Sequence, residues 1–162
     1  MIAAWPLELR LSLLALYDDY GAAIDDDLER WPDFFTPNAV YRVVARENFE
    51  RGRLWPTMWC EGRGMMADRV TAIRRTSVYV PRQMRHFFSC IRITGETSEG
   101  WNVQAHFLVG ESTPDGESRV FAMGRSIDVV VRDGDGPHGL RFAEKTCVYD
   151  GNLIQSSLIY PL

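Results

Sequence analysis

SRVFAMGRSIDVVV, residues 118–131, is the stretch that decides how this chain folds. Two sets of side chains alternate along it: Phe121, Met123, Arg125 and Ile127 against Val120, Ala122, Gly124 and Ser126. A period of two over that length is a strand, because successive side chains of an extended backbone point to opposite faces. RHFFSCIRIT (85–94), WNVQAHFLVG (101–110) and LRFAEKTCVYD (140–150) are similarly rich in β-branched and aromatic residues. TGETSEG, TPDGE and RDGDGPHG separate them, and their Gly, Asp and Pro supply sharp turns. AVYRVVAR (39–46) and LWPTMWC (54–60) add two shorter strands.

The first part of the chain is helical. Residues 6–20, PLELRLSLLALYDDY, open with Pro6 in a first-turn position, and the rows Leu7, Leu11, Leu14 and Leu9, Leu13, Leu16 give a broad apolar face. Gly21 reads as a stop. Asp26, with Glu29 three residues later, reads as the cap of a short helix, DLERWPDFF. RGMMADRVTAIRR (63–75) forms a third helix. The order α-α-β-β-α-β-β-β-β defines an α+β class in one domain spanning 1–162. Its long strands are expected to curl around the helices and enclose a cone-shaped cavity.

Composition narrows the function. The 162 residues carry a net charge of −4, which argues against nucleic acid as a partner. The longest apolar runs are too short to span a bilayer, and the N-terminus lacks a basic leader and a small-residue cleavage site. Three widely spaced cysteines without a CxxC suggest neither a disulfide framework nor a zinc site, so a cytoplasmic setting is expected. Residues 1–35 hold eight acids and two arginines, whereas residues 62–92 hold seven arginines and one acid. That asymmetry fits either a docking face or pairing within the fold, and pairing is the plainer reading. Seventeen of the 18 basic residues are arginine, and Lys145 is the exception.

The candidate chemistry is sparse. His86 begins a strand beside Arg85 and two phenylalanines, where a histidine could serve as a general base inside the cone. Tyr41 or Asp25 could stand beside it. The sequence supplies neither an evident orienting partner nor a substrate pocket, so a structural or interface histidine is the plainer reading of His86. His106 and His138 complete no HxH, HxxxH or HExxH spacing. Asp25-Asp26-Asp27 lacks the alternation of a calcium loop and reads as a helix cap with solvated surface. Trp55 and Trp59 bracket WPTMW on one face and could line a cavity or anchor a partner, and Trp31 reads as core.

The order of elements and several motifs resemble one family. They are WPDFFTPNAVYRVVARENFERG (31–52), GRGMMADRVTAIRR (62–75), the RH of 85–86, and LRFAEKTCVYDGNLIQSSLIYPL (140–162). Together they resemble the small (beta) subunits of aromatic-ring-hydroxylating dioxygenases, which have an NTF2-like (cystatin-like) curved sheet wrapped around helices. RENF and the SLIYPL ending look closest to subunits serving salicylate, anthranilate or terephthalate. Cys90 departs from the family, which has Asn after the Ser of RH-x-x-S.

The resemblance implies a structural subunit with no catalytic residues and no cofactor of its own. The Rieske 2Fe-2S cluster and the mononuclear iron would lie in a partner alpha subunit. Beta subunits would form a homotrimer within an alpha3beta3 hexamer, with no membrane or nucleic-acid partner. Trp55, Trp59, Arg74, Arg75, Arg82, Arg85 and His86 would sit near subunit contacts, and SLIYPL would be tied down. The rival is a stand-alone NTF2-like isomerase or dehydratase using His86, Tyr41 and Asp25 in the cone.

Overall fold

The computed structural model describes residues 5–53, 55–154 and 157–162. Met1–Ala4 of the N-terminal segment, Leu54 of the expected LWPTMWC strand, and Gln155 and Ser156 lie outside the described residues. Six strands form one curved sheet: β1 (Phe35–Ala45), β2 (Met58–Glu61), β3 (Gln83–Glu96), β4 (Gly100–Ser112), β5 (Ser118–Arg132) and β6 (Leu140–Tyr149). Their order is β2-β1-β6-β5-β4-β3. All neighbours are antiparallel except β1 and β6, which run parallel, so the sheet is mixed. Three α-helices join them, α1 (Leu7–Asp26), α2 (Arg46–Glu50) and α3 (Gly62–Arg75), together with 3₁₀ segments at Leu28–Phe34 and Pro137–Gly139.

The four late strands and α3 lie where alternation and helical spacing place them. The first helix does not stop at Gly21. It runs to Asp26, and Gly21 instead lets β3 approach: a Cβ there would meet the His86 carbonyl oxygen at 3.3 Å and the Phe88 ring at 3.4 Å. The expected capped helix over 27–35 is a 3₁₀ segment around Pro32, and Asp26 ends α1 rather than capping the next element. The short α2 falls in RENFE, between two expected strands.

The expected broad apolar face of α1 is narrower than the leucine count implies. Leu13, Leu16, Tyr17, Tyr20 and Ile24 are buried, while Leu7, Leu11 and Leu14 stand in solvent. On β5 the small row faces inward. Ala122, Ser126, Asp128 and Val130 are buried, and Met123 and Ile127 lie outside. The inner face meets α1 and a dense aromatic core, which leaves little room for larger side chains. In that core Trp31 packs edge-on against Tyr41 (5.2 Å), and Tyr17 and Tyr20 meet Phe142 at 5.3 and 5.4 Å.

Cys90 has φ 52°, in the left-handed region, at a break in the β3–β4 register. That conformation suits the Asn expected there, whose short polar side chain tolerates it better than most.

At the centre of the inner face sits the one lysine. Lys145 Nζ on β6 lies 3.0 Å from Asp128 Oδ2 on β5, both side chains fully buried. Ser126 Oγ donates to the same oxygen at 2.9 Å, and the Tyr17 hydroxyl on α1 also donates to it. The ammonium lies 4.6–5.2 Å from the ring centroids of Tyr17, Tyr20, Phe88 and Phe142. Part of the acid–arginine asymmetry is internal pairing. Arg74 bonds Glu29 at 2.8 Å and holds that carboxylate below its usual range, and Arg85 bonds Asp26 at 3.0 Å.

Removing one member of a buried pair strands the other charge. Lys145→Met and Asp128→Leu should each cost about 3–5 kcal/mol in urea unfolding, with the double variant costing clearly less than their sum. Independent, additive losses would show that the two charges are not coupled.

Burial also pushes the phenols of Tyr17, Tyr20 and Tyr41 well above their ordinary 10.0, with Asp128 reinforcing the effect at Tyr17. The folded chain then keeps protons that the unfolded chain loses above about pH 10. Stability should hold below that pH and fall above it, by about 1.4 kcal/mol per pH unit for each buried phenol. Unfolding free energies measured from pH 8 to pH 11 check this.

Candidate functional site

His86 lies on β3, and its side chain points toward the helices, 1% exposed. Asp25, in the last turn of α1, reaches it from one side. The His86 backbone N–H donates to Asp25 Oδ2 at 3.0 Å, and Nδ1 lies 2.7 Å from Asp25 Oδ1. Asp25 is thus a partly buried partner, not solvated surface like its neighbour Asp27, which is exposed. The orienting partner that a catalytic histidine needs is present, and it comes from α1 continuing past Gly21.

The other ring nitrogen is stoppered. His86 Nε2 lies 3.1 Å from the Pro161 carbonyl oxygen. Both ring nitrogens face acceptor oxygens of the chain itself, and neither points into open space. Tyr41 is closed in the same way. Its hydroxyl accepts from the Leu162 N–H at 2.7 Å and donates to the Leu162 backbone oxygen at 3.2 Å. Two of the three candidate catalytic residues, His86 and Tyr41, therefore bond residues 161–162, and Asp25 stands behind His86.

The other singled-out residues separate into surface and interior. Trp55, Trp59 and Arg75 are exposed. Trp55 precedes β2, which begins at Met58, so it does not share a strand face with Trp59 as WPTMW suggests; the Arg53 guanidinium lies 5.5 Å from its ring. Arg74 and Arg85 are exposed but bonded to Glu29 and Asp26. The Arg82 and His86 side chains are turned into the chain itself. Arg82 lies 3.2 Å from the buried Glu111 carboxylate, donates to the Ser157 carbonyl at 2.9 Å and stacks on Phe121.

Sequence spacing gave no signal for what fills the cone, since a short apolar ending reads the same buried or frayed. A cleft of about 720 Å³ lies elsewhere, between the end of α3 and residues such as Val78, Tyr79, Pro114 and Tyr160. Among the described residues, no group of three or more His, Cys, Asp or Glu side chains could hold a metal ion. Among those residues no helix is long and apolar enough to cross a membrane.

Comparison with known proteins gives this geometry its context. Residues 5–145 match the model of the SnoaL-like domain family. The chain is 32% identical over 148 residues to the anthranilate 1,2-dioxygenase small subunit of Burkholderia cepacia, covering 91% of this chain and 90% of that one. It is 28% identical over 154 residues to the beta 1 subunit of the terminal oxygenase component of terephthalate 1,2-dioxygenase from a Comamonas species, covering 94% and 97%. Among solved structures it is similar to one from Novosphingobium aromaticivorans described as the beta subunit of an aromatic-ring-hydroxylating dioxygenase, with TM-score 0.83, 31% identity and coverage of 95% and 97%. A curved mixed sheet, a closed interior and these matches along nearly the whole chain place the protein in the SnoaL-like family, among the small (beta) subunits of aromatic-ring-hydroxylating dioxygenases.

Proposed function

We propose that this chain is the non-catalytic small subunit of a terminal oxygenase acting on an aromatic acid. Its role is to assemble and support alpha subunits in the cytoplasm. The observation that carries this reading is the stoppered His86–Asp25 pair: the histidine that could act as a base is held between Asp25 and the carbonyl of the chain's own Pro161. Relatives named as subunits of anthranilate and terephthalate dioxygenases support the partner and the substrate class.

The three cysteines are dispersed over β2, β3 and β6 and offer no cluster site. We assign the Rieske 2Fe-2S cluster and the mononuclear iron to the alpha subunit, where they would use electrons from NAD(P)H to hydroxylate the ring. In this assignment three beta subunits form a trimer beneath three alpha subunits. Exposed Trp55 and Trp59, and the uncovered Leu7, Leu11 and Leu14 of α1, are surfaces such an assembly would cover.

Native mass by light scattering tests the assignment. The chain alone is expected as a trimer, and co-expression with a Rieske-type large subunit is expected to yield an iron-loaded three-plus-three hexamer. A monomer or dimer that ignores the large subunit would overturn the reading. His86→Ala separates support from catalysis. It leaves the Asp25 carboxylate without its ring partner and should cost about 3 kcal/mol of stability. Iron content and turnover per assembled hexamer should stay unchanged, and lost turnover in an intact hexamer would return His86 to the chemistry.

A further inference from the structure

Residues 157–162 are held in an unusual way. They belong to no strand or helix. Their backbone is bound by side chains drawn from across the fold. Arg82 donates to the Ser157 carbonyl at 2.9 Å, and Arg69 to the Leu158 and Ile159 carbonyls at 3.1 Å each. The Tyr160 and Tyr79 hydroxyls meet at 3.0 Å, and His86 Nε2 faces the Pro161 carbonyl. Leu162 is fully buried, and its backbone oxygen is met by Tyr20 Oη (2.9 Å), Tyr41 Oη (3.2 Å) and Cys147 Sγ (3.5 Å). Buried backbone outside sheet and helix must find other partners, and here side chains of α1, α3, β1, β3 and β6 supply them, as a binding site supplies them to a ligand.

One of the donors, Tyr20, is also oriented independently of what it holds. Tyr20 Oη accepts from Trp31 Nε1 at 3.2 Å, which leaves its proton to point at an incoming oxygen. The floor around it is apolar and aromatic, with Trp31, Phe35 and Phe142 fully buried. An oxygen-binding triad over an apolar floor fits a compact carboxylic acid with a branched or aromatic body.

We propose that residues 160–162 act as a displaceable internal ligand, and that their release opens a binding site in this chain for a small apolar carboxylic acid. The subunit reading assigns this chain no ligand, so the proposal goes beyond it, and the isolated chain suffices to test it. With the segment withdrawn, the Tyr20 and Tyr41 hydroxyls and His86 Nε2 lose their partners in an apolar hollow, and an acid supplies oxygen acceptors and fills the space of the Leu162 side chain.

The test uses 4-methylpentanoate, which carries the isobutyl group of Leu162 and a carboxylate, on a variant ending at Ile159. This variant should melt lower than the full chain. Millimolar 4-methylpentanoate should raise its Tm by roughly 5 °C, saturably, with no comparable effect on the full chain. Adding Tyr41→Phe should abolish the rise. Burial pushes the Cys147 thiol up to about 12, so it resists alkylation while covered. Peptide mapping should find Cys147 labelled faster in the shortened variant and protected again by the acid. No saturable shift and no protection overturns the proposal.

If the shortened variant does not fold, the full chain decides. Cys147 labelling that is independent of urea well below the unfolding transition reports local release of the segment and supports the proposal. Labelling that tracks global unfolding at every urea concentration overturns it.

Discussion

The fold turns on one buried charge pair. Lys145 and Asp128 cross-link β5 to β6, and through Tyr17 they fix α1 against the sheet. Two charges without access to water must satisfy each other, so their geometry tolerates little movement. The aromatic rings around the ammonium inherit that restriction, because each must present its face or edge at a set distance. A chain with seventeen arginines keeps its one lysine here. A compact ammonium fits among four rings where a planar guanidinium, with five donors to satisfy, does not.

From that anchor the position of the site follows. With α1 pinned at Tyr17 and Tyr20, its last turn carries Asp25 to the His86 backbone. Gly21, one turn earlier, removes the side chain that would hold the two elements apart. Tyr20 lies on the same helix face as Tyr17 and aims its hydroxyl at Leu162. The lysine cage, the His–Asp pair and the seat of Leu162 are thus three consequences of one helix lying at one depth. None of them adjusts without the others, which is why the interior reads as an assembled site even though it is filled from within.

The strands were legible in the sequence because a period of two survives in β5 and the turns between late strands carry Gly, Asp and Pro. Helix α3 and the burial of Trp31 were legible for similar local reasons. What the sequence hid was long-range. A glycine in a helical stretch reads as a stop unless the strand it admits, here β3, is known to lie against it. Leu7, Leu11 and Leu14 read as core because spacing reveals an apolar face but not what covers it. Asp25 read both as solvated surface and as a possible neighbour of His86, and spacing could not choose between them because the two lie 61 residues apart. Spacing and composition gave no signal for Leu162, whose capture depends on hydroxyls from α1 and β1 brought together only by folding, and only the family resemblance implied a tied-down ending. The family resemblance carried the reading past these gaps, because it rests on the whole order of motifs.

A filled interior changes what the exterior must do. Phe87, Leu108 and Met123 lie in register across β3, β4 and β5 on the outer face, where an isolated sheet ordinarily presents polar residues to water. Phe87 and Met123 are exposed, as are Trp59 and the outer leucines of α1. Here the interior is apolar and filled, with Pro161 and Leu162 seated in the cone, and further apolar side chains remain outside. β3 is one of the two edges of the sheet, and the left-handed Cys90 kinks it at the break in its pairing with β4, which makes it a poorer template for stray strands. With the edge blunted and the faces left apolar, association is directed through side-chain surfaces, the arrangement that assembly with defined neighbours requires.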